Sequence, residues 1–227
     1  MLLDILVIAP HPDDAELGMG GAILKLLAAG KRVGVLDLTS GEPTPHGSPE
    51  IRARETAEAT KILGLEWREN LGLPNRSLEA TLENRAKLAG VIRQTRPRWL
   101  FAPYWVDAHP DHTAATKLVD DARFWAKLTK SDLPSEPHHP QRIYNYYCVH
   151  LKAAAQPAFI LDISDQWESK LASIRAYESQ FITGRDGSFM EKLRDEASYW
   201  GKTIGVEYGE PFHCREPIGL ETFSGLV

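Results

Sequence analysis

The 227-residue sequence predicts an α/β protein, a Rossmann-like three-layer sandwich with a mostly parallel sheet. Short apolar segments rich in β-branched residues alternate with longer amphipathic segments over the first 128 residues, a pattern typical of parallel strands joined by helical crossovers. Beyond Pro134 two strand-like segments follow each other, which predicts a small β-containing C-terminal extension. Because the length suits one domain and no linker or internal repeat interrupts the pattern, we expect a single domain over residues 1–227.

The hydrophobic pattern assigns the elements of the first part of the chain. Three segments have the continuous apolar composition of strands buried on both faces: residues 5–9, 32–39 and 98–102. Four segments have apolar residues at helical spacing: residues 17–29, 49–63, 77–95 and 113–128. Gly30 and Gly64 directly follow the first two helical segments, where glycine commonly ends a helix.

The last third of the chain has a different order of elements. Residues 143–151 and 158–163 predict two strands, and residues 164–180 predict a helix with aromatic and aliphatic residues on one face. These segments form the predicted C-terminal extension.

Composition and charge exclude several classes of function. The chain has 26 basic and 31 acidic residues, and no cluster of lysines and arginines offsets this acidic excess, so nucleic acids and anionic membranes are not expected partners. No apolar run reaches the roughly 18 residues that a membrane span requires. Cys148 and Cys214 lack metal-binding or disulfide spacing, which predicts two buried thiols and a cytoplasmic location.

Two short motifs carry the chemistry. HPDD at residues 11–14 follows the first predicted strand, and HPDH at residues 109–112 lies between a predicted strand and a predicted helix. An isolated HPDD is equally explained as a polar turn in which Asp14 caps a helix. With two such motifs at strand ends, however, we expect their side chains to converge on one metal ion. His11, Asp14 and His112 then match the three protein ligands of a catalytic zinc site.

The motifs contain three further ionisable residues beyond this ligand set. A hydrolase needs a base beside the attacking water and a donor for the developing oxyanion, and Asp13 and His109 are available for these tasks. Asp111 lies two residues after His109, so we expect its carboxylate to hydrogen-bond the His109 ring and fix its tautomer.

The chain resembles the LmbE-like family, also called the PIG-L family, of zinc-dependent N-acetylglucosamine deacetylases, which AHPDD and HPDH define. Here Pro10 stands between Ala9 and the histidine of the first motif. Further segments resemble the bacillithiol biosynthesis branch of that family: residues 18–21 (GMGG), 52–55 (RARE), 71–74 (LGLP), 162–164 (DIS) and 179–181 (SQF). The resemblance therefore covers nearly the whole chain. The GMGG segment lacks the full dinucleotide-binding pattern, and we expect it to serve close helix packing.

The resemblance implies a role for each residue of the two motifs. The ligand set would hold Zn²⁺, with Fe²⁺ as another candidate, Asp13 would be the general base, and His109 would stabilise the oxyanion or protonate the departing amine, with Asp111 orienting it. Arg52 would contact the substrate or buttress the active site, and Glu55 would hold Arg52, with an exposed helix pair as the alternative explanation of these two residues. A homo-oligomer, of which a hexamer is one form, is also implied.

The resemblance further implies the substrate, N-acetylglucosaminyl malate of bacillithiol biosynthesis. Close relatives carry an arginine immediately before the first histidine of HPDH, where this chain has Ala108, so we expect a weaker preference for the malate conjugate. Two alternatives remain open, a metallo-hydrolase of another amide or ester and a metal-binding protein without catalysis. Five residues are candidates for lining the pocket that the sequence does not place: His46, His150, His213, Tyr199 and Tyr208.

Overall fold

A computed structural model describes residues 1–151 and 155–219 of the chain. A seven-stranded sheet has the order β3-β2-β1-β4-β5-β7-β6. Its strands are β1 (Ile5–Ala9), β2 (Val33–Thr39), β3 (Trp67–Leu73), β4 (Trp99–Pro103), β5 (Arg142–Tyr146), β6 (Phe159–Asp162) and β7 (Gly209–His213). The first five strands are parallel, and β7 runs antiparallel to both of its neighbours. The predicted fold class, a mostly parallel α/β sandwich, is confirmed.

Helices cover both faces of this sheet. They are α1 (Asp14–Ala28), α2 (Pro49–Leu63), α3 (Leu82–Thr95), α4 (Pro110–Ala126), α5 (Trp167–Arg175), α6 (Glu178–Phe181) and α7 (Ser188–Thr203). Helices α3 and α4 bury Leu88 and Leu118 against Leu6 and Ile8 of β1. The other side of β1 faces α1, and α5 packs on α1 and α2 from outside. The central strand is therefore buried on both faces, as its continuous apolar sequence predicts. Within the described residues, no helix has both the length and the apolar character needed to span a bilayer.

Three elements were missed by the sequence analysis. Strand β3 lies at one edge of the sheet, and most of its residues are exposed or half-buried. Its sequence, WRENLGL, is accordingly polar and lacks the apolar signal of a buried strand. Strand β7 contains Pro211, which weakens a strand signal. Helix α7 buries Leu193, Ala197 and Gly201 at a spacing of four residues, a helical signal that the sequence does contain.

Five predicted boundaries also differ. Helix α3 begins at Leu82, five residues later than expected. The helix expected at residues 164–180 is divided into a 3₁₀ turn at Ser164–Gln166, α5 and α6. The strand expected at residues 143–151 ends at Tyr146, which leaves residues 147–150 as a loop. Helices α1 and α4 begin three residues earlier than expected, directly within the HPDD and HPDH motifs. The prediction of one domain over residues 1–227 extends beyond the described residues and stays a prediction.

Close packing explains the glycines of the GMGG segment, as predicted. A Cβ atom at Gly18 would lie 2.3 Å from Cδ2 of Tyr146, and one at Gly21 would lie 2.7 Å from the side chain of Ile163. Helix α1 is also broken at Met19, whose φ and ψ are −152° and 25°. Two glycines thus let a broken helix approach strand β5 and the turn before α5.

We expect Gly18→Ala to lower the free energy of unfolding by about 1 to 3 kcal/mol, because the new methyl group overlaps the ring of buried Tyr146. Gly90→Ala in α3 is the control, since its methyl group would lie 3.3 Å from Cγ of Pro134 and would improve helix propensity. Urea denaturation of both variants measures the difference. Equal stability of Gly18→Ala and the unaltered protein would contradict this account.

Candidate active site

The two sequence motifs lie side by side because β1 and β4 are adjacent parallel strands. HPDD follows the carboxyl end of β1 and HPDH follows the loop after β4, so both open the next helix at the same edge of the sheet. The rings of His11 and His112 have centroids 5.5 Å apart, and those of His11 and His109 are 4.9 Å apart. The structure thereby brings together residues that are about one hundred positions apart in sequence.

Within the described residues, three overlapping groups of side chains have donor atoms close enough to hold a metal ion, and one of them is the expected set of His11, Asp14 and His112. The Asp14 Oδ2 atom lies 3.0 Å from Nδ1 of His11 and 3.3 Å from Nε2 of His112. One donor atom from each of the three residues lies within 4.8 Å of the others. Two imidazoles and a carboxylate suit a divalent transition metal, and the same cleft gives access to all three residues. The donor set therefore fits a divalent metal ion.

The charge balance at this group also favours a cation. Burial raises the pKa of Asp14, but the neighbouring His112 and His11 outweigh it and hold that pKa well below its usual range. Burial likewise lowers the pKa of His112, and the Asp14 carboxylate reverses this so that the net pKa lies far above that of a free imidazole. The Asp14 carboxylate is thus ionised beside a cationic neighbour. A divalent ion held by these residues would take the place of the His112 proton.

Asp111 does not orient His109, contrary to our expectation. Its Oδ2 atom lies 3.2 Å from Nε2 of His11, and its carboxylate accepts backbone N–H groups of Arg76 at 2.8 Å and Leu78 at 3.2 Å. Although burial raises the pKa of Asp111, the His11 hydrogen bond and these backbone donors lower it overall, so the group is ionised. A proton held on Nε2 of His11 leaves the Nδ1 lone pair for a metal, which makes Asp111 a partner of the candidate ligand His11.

His109 is oriented by the backbone instead. It caps α4, and its Nδ1 atom accepts the N–H of Asp111 at 3.2 Å. Burial, followed by the positive charge of His112 and His11, lowers the pKa of His109. A neutral ring whose Nδ1 is an acceptor carries its proton on Nε2. His109 therefore offers a hydrogen-bond donor in the wall of the cleft.

Asp107 was missed by the sequence analysis. Its Oδ1 atom lies 3.3 Å from Nδ1 of His112, and the side chain is 2% exposed. The same oxygen accepts the backbone N–H of His109 at 2.7 Å. The available signal was a carboxylate two residues before HPDH, a position suited to the second nitrogen of a ligand histidine.

Asp13 has a rare backbone conformation, and its carboxylate pairs with Arg52. Its φ of 120° is rare for a residue with a side chain. The carboxylate lies 2.8 Å from Nη1 of Arg52, and it shares the cleft with the metal group. Burial raises the pKa of Asp13 to about 7, even though Arg52 acts in the opposite direction. A carboxylate with a pKa near 7 is suited to accept and return a proton.

Arg52 is held in place by partners that the sequence analysis did not identify. Its Nη1 also donates to the carbonyl of Pro12 at 2.6 Å, and its Nε donates to Glu42 Oε1 at 3.2 Å. Glu55, the expected partner, instead accepts the backbone N–H and the hydroxyl of Ser179, both at 2.7 Å. Although residues three apart share a helix face, the Glu55 carboxylate is directed to Ser179 of α6 and not to Arg52. Of the two roles expected for Arg52, the contacts are those of a buttress for Asp13.

The cleft around these residues has a volume of about 420 Å³. Apart from the catalytic candidates, its walls carry basic, polar and apolar side chains: Arg76, Arg185, Asn75, Thr44, Gln180, Leu17, Pro43, Val149, Phe181 and Phe189. His150 also lines it, with its ring centroid 5.6 Å from that of His109.

The other four pocket candidates are not among the residues that line this cleft. His213 contacts Trp105, and Tyr208 stacks on Trp167. Tyr199 is 61% exposed, and His46 lies against Gly184.

Comparisons with known proteins agree with this geometry. Residues 6–123 match the family described as PIG-L, GlcNAc-PI de-N-acetylase. A diacetylchitobiose deacetylase of Thermococcus kodakarensis is 34% identical over 91% of this chain and 80% of its own length. A probable N-acetyl-α-D-glucosaminyl L-malate deacetylase 2 of Bacillus anthracis is 26% identical over 97% and 96%. The crystal structure of a conserved protein from Thermus thermophilus has a TM-score of 0.91 and 43% identity over 98% and 99% of the two chains.

We expect Asp111→Asn to weaken divalent metal binding about 10- to 100-fold, because the amide no longer holds the His11 tautomer that presents Nδ1. Competition with a chromogenic chelator measures the affinity. Glu42→Gln is the control, since Glu42 contacts Arg52 and should leave metal affinity unchanged. Wild-type affinity in Asp111→Asn would contradict the assigned contact.

Proposed function

The chain belongs to the PIG-L family of deacetylases, and from this premise we propose that it is a zinc-dependent hydrolase of the acetamido group of an N-acetylglucosamine conjugate. The proposal depends on one observation: the HPDD turn contains both candidate metal ligands and a separate carboxylate suited to act as a base. In HPDD, His11 and Asp14 supply metal donors, while Asp13 lines the same cleft and pairs with Arg52. A metal site that only binds an ion has no need of this second carboxylate.

Zinc is the proposed ion because two imidazoles and one carboxylate with open positions are typical of catalytic zinc. The same donor set suits ferrous iron, which is the second candidate. His11, Asp14 and His112 would hold the ion. When bound there, a divalent cation polarises a carbonyl group and makes water more acidic.

The remaining steps belong to the side chains of the chain itself. Asp13 accepts the proton of the attacking water, and Arg52 holds the carboxylate in position for it. The Nε2–H of His109 donates to the oxygen that becomes negative as the amide carbon turns tetrahedral. Because the His109 ring is neutral, the proton for the departing nitrogen comes from Asp13, whose pKa near 7 permits both transfers. His109 is thereby assigned to the oxyanion.

The group attached to N-acetylglucosamine determines which substrate is preferred. We propose a neutral sugar, as in diacetylchitobiose, because Ala108 offers no guanidinium and Arg52 is occupied by Asp13, Pro12 and Glu42. The malate conjugate is the second candidate. It is favoured by Arg76 and Arg185 in the wall of the cleft, where a carboxylate could pair with either. A homo-oligomer in the cytoplasm stays part of the proposal.

We expect the zinc-loaded protein to release acetate from N,N'-diacetylchitobiose with a higher kcat/KM than from N-acetylglucosaminyl malate. Asp13→Asn should keep its zinc and lose about 100-fold or more in kcat, the scale of a positioned general base. Amine release and metal content are measured on the same samples. Failure to act on either substrate would favour another amide or ester, and near-normal turnover by Asp13→Asn would contradict the role of that residue.

The pH dependence tests the Arg52 contact. Asp13 must be ionised to act as a base, so kcat/KM falls as the pH drops through its pKa. Removing the guanidinium in Arg52→Gln raises that pKa, and we expect the acidic limb to move upward by about 1 pH unit or more. Glu55→Gln, one turn along α2, is the control and should leave the limb in place. An unmoved limb in Arg52→Gln would show that Asp13 is not the group that titrates.

A further inference from the structure

A buried ion pair is inserted into the break of helix α1. In a continuous helix the N–H of Gly21 would donate to the carbonyl of Leu17, four residues earlier. Here Lys170 Nζ donates to the Leu17 carbonyl at 2.9 Å, and Glu210 Oε1 accepts the Gly21 N–H at 2.9 Å. Lys170 and Glu210 are themselves 2.6 Å apart. The ion pair therefore replaces one hydrogen bond of the helix.

Each charge matches the helix end that it meets. Glu210 Oε2 also accepts the N–H of Ala22 at 2.7 Å, so its two oxygens cap the start of the second half of α1. Lys170 caps the end of the first half. Both residues are nearly inaccessible, with side-chain exposures of 6% and 3%. Burying two charges is costly, and both helix ends compensate for it.

The pair ties the first half of α1 to two other elements. Lys170 belongs to α5 and Glu210 to β7. A Cβ atom at Gly20 would lie 3.2 Å from Cγ of Lys170, so the helix at the break accommodates the lysine stem closely. The short first half begins at Asp14 and breaks at Met19. Its direction is consequently set by contacts at the break and not by the longer second half.

We propose that Lys170 and Glu210 are positioning residues for the metal ligand Asp14. The inference rests on the metal site of the proposed function. By holding the break open, the pair directs the first turn of α1 so that the Asp14 carboxylate lies between His11 and His112. Neither residue touches the metal donors. Their effect passes through the backbone from Leu17 to Asp14.

The double variant Lys170→Met/Glu210→Met separates positioning from stability. Each single variant leaves one buried charge without its partner and should lower the melting temperature markedly. The double variant removes both charges, and the Leu17 carbonyl and Gly21 N–H then have each other as partners, so the melting temperature should recover in large part. The helix closes at the break, and the first turn changes direction.

Cobalt binding reports the consequence for the ligands. We expect the double variant to bind Co²⁺ about 10- to 100-fold more weakly than the unaltered protein, the range seen when support of a metal ligand is lost. Its visible Co²⁺ absorption should also change, because the bands depend on ligand geometry. Both are measured by titration of the metal-free protein, followed by absorption spectroscopy.

Arg93→Met is the matched control. Arg93 is another buried cation, and it donates to the carbonyls of Ala126 at 3.0 Å and Leu128 at 2.5 Å on the other side of the sheet. We expect it to lower the melting temperature with Co²⁺ affinity and spectrum unchanged. Wild-type affinity and spectrum in the double variant would overturn the inference. Because the readout is Co²⁺ binding, a lack of deacetylation by the unaltered protein would contradict the proposed function alone.

Discussion

The buried carboxylate of Asp14, placed between two imidazoles, is the interaction on which the site depends. An ionised carboxylate with 4% exposure is unfavourable unless positive charge lies beside it, and His11 and His112 provide either that charge or the nitrogen donors of a cation. Both histidines come from motifs at the carboxyl ends of adjacent parallel strands. The parallel pairing of β1 and β4 therefore brings both histidines to the Asp14 carboxylate and also forms the cleft around them.

Three residues of the site, His11, His112 and Asp13, each contact a buried side chain of complementary charge. Asp111 supports His11 and Asp107 supports His112, so both imidazoles present their other nitrogen towards Asp14. Arg52 does the same for Asp13. Two neighbouring aspartates differ in acidity for separate reasons: His112 and His11 hold the pKa of Asp14 well below its usual range, whereas burial raises that of Asp13 to about 7 against the effect of Arg52. One short motif can therefore hold two adjacent carboxylates of very different acidity.

The central part of the fold was predictable because burial on both faces leaves a clear pattern. Strands β1, β2 and β4 and helix α2 follow it closely, with Gly64 in the left-handed conformation at the end of α2. Of the strands missed, β3 lies at an edge of the sheet, whereas β7 lies inside it between β5 and β6. Strand β3 has polar residues because an edge strand faces solvent, and β7 carries a proline. In both, the tertiary position outweighs local propensity.

The sequence by itself determined the residue types, their spacing within each motif and their place at strand ends, which was sufficient to predict the grouping of His11, Asp14 and His112. Only the tertiary structure decided which side chain each of them meets. The Asp111 carboxylate contacts His11 and not His109, and Arg52 pairs with Glu42 and not with Glu55. Lys170 pairs with Glu210 at the break of helix α1. The reason is physical: a motif determines local geometry over a few residues, whereas these contacts join segments that only the packing of the whole domain brings within hydrogen-bonding distance.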